Sequence, residues 1–316
     1  MKILLVTPYK NIIATNTTPT DIIFINHYNR YHKKIYETLF CNNHDVILCN
    51  GLEENLSNYV KNADIVFPIR SNYPTPLYEL NIILQAERFQ KKIIGSSVAS
   101  KMIECDKIAS KLLVNNLGIS TPKFYSFFDF NQLEIGKKYI IKKRYASSSI
   151  GIEDNSVFIY DDHNFPKQIS DIKNKELFFI EEFIEGIDIS IGVVFSKNHK
   201  HLLSKPYTMK SLSSDVVTFE QKKNGKNLVC DFSNNHVINK KLEEYAIKIF
   251  NHIQPCEYTR IDFILSNNGE LFFLEYNNTP NLSCANYYVS SLIEKYFTDY
   301  SDFINYLLSQ ALQLDI

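Results

Sequence analysis

The stretch between residues 258 and 282 constrains the fold more than any other part of this chain. Two segments with alternating apolar and polar residues flank the pair Asn268-Gly269. This pair is a strong hairpin signal, because a type I′ turn needs positive φ at both of its central residues. If these two residues form the loop, the cross-strand pairs can be counted back along both strands. The predicted pairs are Asp262 opposite Glu275 and Arg260 opposite Asn277.

The four polar residues of these pairs share one face of the predicted hairpin, because side chains alternate with a period of two along a strand. The opposite face is predicted to be core and carries Ile261, Phe263, Phe272 and Leu274. Two carboxylates directly opposite each other repel, and a cation between them would remove that repulsion. Carboxylate and amide oxygens suit Mg²⁺, which also takes phosphate oxygens. The alternative is a solvated face on which Arg260 offsets the acids, and a one-residue slip would break the pairing.

Composition restricts the class of protein. The 316 residues are 45% hydrophobic and 22% charged, with a formal net charge of -1, which is typical of a globular chain with two or three subdomains. This charge balance gives no reason to expect a nucleic acid or an anionic membrane as a partner. No apolar run is long enough to predict a membrane span, and we expect no signal peptide. The scattered cysteines are typical of free thiols in the cytoplasm.

Strands and helices alternate in the N-terminal part of the chain. Short apolar strands are predicted at 2–7, 46–48, 65–69 and 92–95, with helices at 22–40, 52–62 and 76–90. This alternation predicts a parallel, doubly wound sheet. One amphipathic helix is predicted over 102–117, and Gly118 ends it. A β-rich middle follows, then a helix over 237–253, the hairpin, and two helical stretches.

Two lysines and a serine-rich loop are candidates for phosphate binding. Lys142 ends a predicted buried strand and opens the loop 146–151, which contains Ser148 and Ser149. A lysine at this point can reach a phosphate as a point charge, and hydroxyls with backbone N–H groups can cover its oxygens. Serine-rich loops also follow strands without such a role, and the Walker A pattern is absent. Lys107, taken alone, is typical of a solvated helix lysine.

The segment 181–188 carries four acidic residues directly after a predicted buried strand. One interpretation is a charged surface turn. The other is a hinge whose backbone contacts the edge of an adenine base, with a carboxylate seven residues further on contacting a ribose.

Taken in this order, the motifs resemble the ATP-grasp superfamily, most closely its D-alanine–D-alanine ligase-like branch. The segment from Gly95 through Lys107 to Pro122 is similar to that family's domain junction. Lys142 with 148–151 is similar to its strand lysine and phosphate loop, and 181–188 to its adenine hinge. Arg260-x-Asp262 with Glu275-x-Asn277-x-x-Pro280 resembles its metal and oxyanion motif, which is the most specific of these matches. The resemblance runs from about residue 90 to residue 285.

The resemblance implies an α/β (α+β) ATP-grasp fold. An N-terminal doubly wound parallel-sheet domain, which precedes the ATP-grasp part, would span residues 1–103. A central ATP-grasp subdomain would span 104–187, and a C-terminal subdomain with the metal site would span 188–316. The two β-rich subdomains would hold ATP between them.

The resemblance also implies a role for each candidate residue. The adenine would contact the backbone of Glu182, Phe183 and Ile184, with its amino group on Glu181 and the ribose on Asp188. The phosphates would contact Lys107, Lys142, Ser148 and Ser149. Two Mg²⁺ ions, or Mn²⁺ in their place, would be held by Asp262, Glu275 and Asn277. Arg260 would be the catalytic residue that stabilises the oxyanion.

The implied reaction is ATP-dependent, ADP-forming amide or peptide bond formation between a carboxylate and an amine. The carboxylate attacks the γ-phosphorus, which gives an acyl phosphate and ADP, and the amine then displaces phosphate. Phosphoryl transfer needs positioning and charge neutralisation, which two metal ions and two lysines supply. Arg260 would act on the charge that develops at the tetrahedral carbonyl.

Departures from the family pattern fall in the part that binds the substrates. The first loop, 7–11, lacks the glutamate that holds an amino group in this family. Asn281 stands where a glycine is usual, and Asn286 where a serine helps to bind the second substrate. Lys143 and Ser147 replace a proline and a glycine around the phosphate loop. We therefore expect an amino acid or small acid other than D-alanine as substrate.

Three alternatives remain open at this point. They are a true D-alanine–D-alanine ligase of peptidoglycan synthesis, a nucleotide-binding pseudoenzyme, and a ligase that modifies a peptide or sugar acid. ADP production separates the pseudoenzyme from the ligases. The expected partners are small-molecule carboxylate and amine substrates, with no nucleic acid and no membrane, in the cytoplasm, and the family adds a possible homodimer.

Overall fold

In the part of the chain that the structure describes, three β-sheets with helices packed against them make up the fold. The computed structural model describes residues 1–7, 22–49, 51, 55–69, 77–146, 156–161, 172–197, 200–211, 227–232 and 234–313. The strands are β1 Lys2–Val6, β2 Asp45–Cys49, β3 Ile65–Pro68, β4 Lys92–Ile93, β5 Phe124–Ser126, β6 Lys138–Lys143, β7 Val157–Ile159, β8 Phe178–Glu182, β9 Gly186–Val194, β10 Leu202–Leu203, β11 Tyr207–Ser211, β12 Asn227–Asp231, β13 Tyr258–Ser266 and β14 Leu271–Asn277. The helices are α1 Ile22–Cys41, α2 Leu56–Lys61, α3 Leu77–Arg88, α4 Val98–Cys105, α5 Lys107–Asn116, α6 His236–His252, α7 Tyr287–Tyr296 and α8 Tyr300–Ala311.

The N-terminal sheet is parallel and has the strand order β2-β1-β3-β4. Its strands are apolar throughout because both faces are covered. Residues of α1, α7 and α8 pack on one face, and residues of α2 and α3 pack on the other. The doubly wound sheet predicted from the alternating pattern is therefore present.

A second sheet, β5-β8-β6-β7, is antiparallel and lies between residues 124 and 182. Its central strands β6 and β8 place Lys142 opposite Phe179 and Ile140 opposite Glu181. The segment 181–188 was predicted to follow the buried strand, and this is wrong for its first two residues, because Glu181 and Glu182 belong to β8 and continue the pairing with β6.

The third sheet has the order β12-β11-β9-β13-β14, with β10 paired to β9. Its first strand begins at Gly186, two residues before the predicted start of the C-terminal subdomain at 188. The predicted bounds of the three domains remain predictions. Strand β9 lies antiparallel to β13 along its whole length, from Gly186 opposite Ser266 to Val194 opposite Tyr258. The hairpin that carries the candidate metal ligands is thus anchored on a neighbouring strand and on its own partner.

The hairpin loop is one residue longer than predicted, and a bulge further along the strands restores the predicted register. Its loop has three residues, since Ser266 N donates to Glu270 O at 2.9 Å and Gly269 N donates to Ser266 O at 2.9 Å. Gly269 has φ +83°, which suits a three-residue hairpin loop. A bulge between Asp262 and Phe263 then shifts the register back. Asp262 therefore lies opposite Glu275, and Arg260 opposite Asn277, as predicted.

The same bulge changes which residues of β14 are buried. Leu271 is 2% exposed and Phe273 is fully buried, whereas Phe272 and Leu274 are only half-buried. The prediction that Phe272 and Leu274 face the core is therefore wrong. The extra residue in the bulge reverses the alternation between the turn and the site.

The helix predicted over 102–117 is two helices, α4 and α5, separated at Asp106. The Asp106 side chain caps α5, accepting from Ile108 N at 3.0 Å and from Ala109 N at 3.3 Å. An aspartate in an extended conformation at an N-cap starts a new helix by satisfying its first free N–H groups. In the described part of the chain, no helix is both long and apolar enough to span a membrane.

Candidate active site

The candidate metal ligands lie together on one face of the β13–β14 hairpin. Arg260 Nε and Nη2 donate to the two carboxylate oxygens of Asp262 at 2.8 and 2.7 Å. Ser190 of the neighbouring strand β9 donates from its hydroxyl to Asp262 Oδ1 at 2.7 Å. Arg260 and Asp262 are thus held by a two-pronged ion pair, and the acid is fixed from both sides.

Arg260 is a permanent positive charge in this site. Burial opposes its charged form, but the Asp262 carboxylate outweighs burial and raises the pKa of Arg260 well above its ordinary value. A planar guanidinium in a partly enclosed site can stabilise a developing oxyanion without becoming deprotonated. The position of Arg260 is consistent with that predicted role, which remains a prediction.

Asn277 is oriented by its own loop. Its side-chain Oδ1 accepts from Thr279 N at 3.0 Å, and its backbone carbonyl accepts from the Thr259 hydroxyl at 2.9 Å. The residue is 9% exposed. Because an amide oxygen has two lone pairs, this hydrogen bond leaves one of them for another ligand.

Lys107 connects the start of α5 to the hairpin. Its ammonium group forms an ion pair with Glu275 Oε2. Its backbone N donates to Arg144 O at 3.2 Å, which joins the helix to the segment directly after β6. The structure therefore brings Lys107 to the candidate metal site, although the sequence alone made it a typical solvated lysine.

Asp106 and Arg144 support this connection and were missed by the sequence analysis. Arg144 Nε and Nη2 donate to the Asp106 carboxylate at 2.8 and 2.5 Å. The bonds from Arg144 and from the amides at the start of α5 outweigh partial burial and hold the pKa of Asp106 below its ordinary value. The available signal was an aspartate immediately before Lys107, in a position that favours an N-cap.

The donor set fits a hard divalent cation. In the residues that the structure describes, no group of three or more histidine, cysteine or acidic side chains is gathered for a metal ion. The predicted set instead combines two opposed acids, Asp262 and Glu275, with the amide of Asn277. Oxygen donors of this kind suit Mg²⁺ when phosphate oxygens complete the coordination. Asp262, Glu275 and Asn277 are thus the residues that would hold the ion.

A second charged cluster joins α5 to the strands β6 and β8 of the second sheet. Glu181 is 1% exposed, and its two oxygens pair with Lys142 at 2.5 Å and with Lys111 at 2.9 Å. Lys111 is itself 1% exposed and was missed by the sequence analysis. The signal that could have found it is its spacing, because residues four apart on a helix share a face and Lys107 had already been singled out.

The protonation of this cluster follows from its burial. Burial lowers the pKa of Lys111 to about 8, with Lys142 and Lys107 acting in the same direction and Glu181 against it. Burial acts in the opposite direction on Glu181, but the two lysines outweigh it and lower the pKa of that carboxyl. Glu181 is therefore ionised at neutral pH, and both of its oxygens are used by lysines.

Two backbone N–H groups of the predicted adenine hinge donate hydrogen bonds to other parts of the protein. Glu182 N donates to Lys123 O at 2.8 Å, and Phe183 N donates to Lys138 O at 2.9 Å. Ile184 follows directly and is half-buried. Asp188 lies in β9 opposite Ile264. It is two residues before Ser190 and therefore on the same face of the sheet. The contacts of Glu181, the hinge and Asp188 with a nucleotide remain predictions.

The remaining site predictions cannot be placed. Ser148 and Ser149 lie outside the described residues, as do most of the first loop and residues 212–226. In the segment after the hairpin, Asn286 Nδ2 and the Tyr288 hydroxyl both donate to Asn281 O at 2.8 Å. The two asparagines that depart from the family pattern are therefore joined to each other.

Comparison with known protein families shows to which family this chain belongs. The family described as D-ala D-ala ligase C-terminus matches residues 114–309. This chain belongs to that family. The match includes the hairpin and the Glu181 cluster apart from Lys111, so the family predicted from the motifs is confirmed.

Curated relatives agree with this assignment. The D-alanine–D-alanine ligase of Aquifex aeolicus (strain VF5) is 26% identical over 203 residues, covering 60% of this chain and 63% of that protein. The chain thus spans less than two thirds of the length of this relative. The uncharacterized protein y4sG of Sinorhizobium fredii is 21% identical over 284 residues, covering 85% of this chain and 83% of that protein.

Solved structures confirm the predicted fold class. The D-alanine–D-alanine ligase of Bacillus anthracis complexed with ATP superposes with a TM-score of 0.74 at 14% identity, covering 100% of this chain and 98% of that one. The VanG D-Ala:D-Ser ligase of Enterococcus faecalis gives 0.69 at 15% identity, covering 98% and 99%. The sequence-based expectation of a substrate other than D-alanine is not supported, since the Aquifex aeolicus relative described above is a D-alanine–D-alanine ligase.

Proposed function

We propose that this protein is an ATP-dependent, ADP-forming carboxylate–amine ligase and that it joins two molecules of D-alanine. The observation that carries the ligase assignment is the hairpin site, where Asp262 faces Glu275 and the first of these acids holds Arg260. The names of the relatives support D-alanine as the substrate.

The lysines of the site would receive the triphosphate. Lys142 is the next-to-last residue of the central strand β6, and Lys107 begins α5 at the hairpin. Lys142 is paired with Glu181, which Lys111 also contacts, so Lys142 is held in place before the nucleotide binds. Positioning of this kind is most of what phosphoryl transfer requires from a protein.

Two bonds are exchanged in the proposed reaction. A carboxylate oxygen of the first D-alanine bonds to the γ-phosphorus while the bond from that phosphorus to ADP breaks. The amino nitrogen of the second D-alanine, after losing a proton, bonds to the acyl carbon, and inorganic phosphate leaves. Mg²⁺ held by Asp262, Glu275 and Asn277 would neutralise charge on the phosphates. Arg260 would donate hydrogen bonds to the tetrahedral oxyanion.

The experiment that tests this proposal measures ADP release from MgATP and identifies the products by mass spectrometry. D-Alanine is tested alone, then with D-serine, L-amino acids and small acids as partners. We expect ADP in proportion to D-alanyl-D-alanine, whose mass is one water less than that of two D-alanines. Asp262→Asn is the control, and it should lose turnover while its circular dichroism spectrum stays unchanged.

Each other outcome has a distinct meaning. A conjugate from another pair, with none from D-alanine, would overturn the substrate and keep the ligase. Absence of ADP with every pair would overturn the ligase function. Full activity in Asp262→Asn would overturn the metal-binding site.

A further inference from the structure

A fully buried lysine lies where the N-terminal domain meets the segment that follows the hairpin. Lys101 in α4 is 2% exposed. Its ammonium group contacts Glu79 of α3 at 2.5 Å, Glu104 of its own helix at 2.9 Å, and the Thr279 hydroxyl at 2.9 Å. The Thr279 hydroxyl in turn donates to Glu79 at 2.7 Å. One ammonium group therefore joins three separate parts of the chain.

Lys101 keeps its charge in spite of its burial. Burial acts against the ammonium form, but Glu104 and Glu79 outweigh it and raise the pKa of Lys101 above its ordinary value. Buried charges persist only when they are paired and hydrogen-bonded. Loss of Lys101 would leave the two carboxylates facing each other in the interior.

This cluster is connected to the candidate metal ligand Asn277 through two adjacent residues. Thr279, which Lys101 contacts, donates from its backbone N to Asn277 Oδ1 at 3.0 Å. Asn278 is fully buried, and its Nδ2 donates to the Ser100 hydroxyl at 2.8 Å. Helix α4 thus holds both residues that immediately follow the metal ligand.

We propose that Lys101 is a positioning residue, which fixes the 278–279 segment and thereby the direction in which Asn277 presents its amide oxygen. The proposal rests on the assignment of Asn277 as a metal ligand under the proposed function. Groups that hydrogen-bond to a metal ligand set its orientation, and their loss typically weakens metal affinity by about 10–100-fold. Here that group is the Thr279 backbone N, and Lys101 acts on it through the Thr279 hydroxyl. Lys101 also makes that orientation depend on contact with the N-terminal domain through Glu79.

The test measures Mn²⁺ affinity by electron paramagnetic resonance, in the presence of a non-hydrolysable ATP analogue and without any amino acid. In Lys101→Met, whose side chain keeps most of the apolar length, we expect Mn²⁺ to bind about tenfold more weakly or worse. In Lys101→Arg, which restores the charge, we expect much of that affinity to return.

A second variant covers the case in which Lys101→Met does not fold. Thr279→Val is nearly isosteric and removes only the hydroxyl between Lys101 and Glu79, so it leaves the buried charges in place. It should also weaken Mn²⁺ binding, by a smaller factor. Leu307→Ala is the matched control, because it opens the core in α8 and lowers stability without touching the site.

The outcomes separate this proposal from the proposed function. Weaker Mn²⁺ binding in the Lys101 and Thr279 variants, with normal binding in Leu307→Ala, would support the positioning role. Unchanged Mn²⁺ affinity in folded Lys101→Met or Thr279→Val would overturn it while leaving the ligase intact. A wild-type protein that binds no Mn²⁺ would overturn the metal site itself.

Discussion

Asp106 combines two interactions whose contributions to stability can be separated by two substitutions. Its carboxylate caps α5 and also forms the two-pronged ion pair with Arg144. Asparagine can cap a helix nearly as well as aspartate but cannot pair with a guanidinium as a charge. Asp106→Asn therefore removes the ion pair alone, and Asp106→Ala removes the pair and the cap.

The magnitudes follow from the exposure of the two groups. The side chains of Asp106 and Arg144 are 17% and 32% exposed, so the pair contributes about 1 kcal/mol, the upper end of the range for surface pairs. Loss of an N-cap costs about 1 kcal/mol. We expect the free energy of unfolding to fall by about 1 kcal/mol in Asp106→Asn and by about 2 kcal/mol in Asp106→Ala.

The assay is equilibrium urea unfolding followed by circular dichroism, together with calorimetric titration of an ATP analogue. Because Lys107 follows Asp106 directly, Asp106→Ala should also weaken nucleotide binding. Asp299→Ala provides the control, since Asp299 caps α8 by accepting from Asp302 N at 2.9 Å and has no place in the site. Its stability should fall by about 1 kcal/mol with nucleotide affinity unchanged. Equal stability of Asp106→Asn and Asp106→Ala would refute the capping argument.

Three further perturbations test other parts of the structure. Lys142→Ala should weaken binding of an ATP analogue by about tenfold or more, because a charge-assisted contact is lost; unchanged affinity by calorimetry would remove Lys142 from the phosphate site. Gly186→Ala should lower the free energy of unfolding by about 2 kcal/mol or more, because its Cβ would lie 2.1 Å from Leu265 O; an unchanged thermal midpoint would contradict that packing. The pKa of Lys111 is about 8, which is below its value in the unfolded chain. Above pH 8 the unfolded state therefore binds more protons than the folded state, and the free energy of unfolding should rise by about 3 kcal/mol toward pH 10.5. A Lys111→Met variant should lose this component of the pH dependence in urea unfolding.

The hairpin shows why the sequence predicted the site better than it predicted the turn. The count from Asn268-Gly269 assumed a two-residue loop, whereas the chain uses three residues. The bulge at Leu274 compensates for that extra residue, so the pairing of Asp262 with Glu275 is the predicted one. Alternating polarity identifies a strand pair, but neither loop length nor a bulge is visible in it. The error therefore affected only the predicted core face, at Phe272 and Leu274.

The buried lysines could not be predicted for a different reason. Lys101 and Lys111 lie on amphipathic helices, where an isolated lysine is ordinarily solvated. Their burial depends on elements distant in sequence, namely Glu79 and Thr279 for the first and Glu181 for the second. Spacing from Lys107 places Lys111 on the same face of its helix but does not indicate its burial, and no local pattern indicates the contacts of Lys101, because they arise only when distant elements pack together.

The charges of the site suggest why nucleotide and metal ion should bind together. Lys107 neutralises Glu275, Arg260 neutralises Asp262, and Glu181 is shared by two lysines. Before any ligand binds, the four basic and three acidic side chains thus nearly balance. If Lys107 contacts a phosphate, as proposed, its ion pair with Glu275 is weakened, and a divalent cation can take over part of the neutralisation of that acid. A triphosphate that carries its own divalent ions preserves the balance, whereas either ligand alone would change the net charge of a partly buried site. Such an exchange of partners makes the two affinities reciprocal, so that each ligand strengthens binding of the other by the same factor.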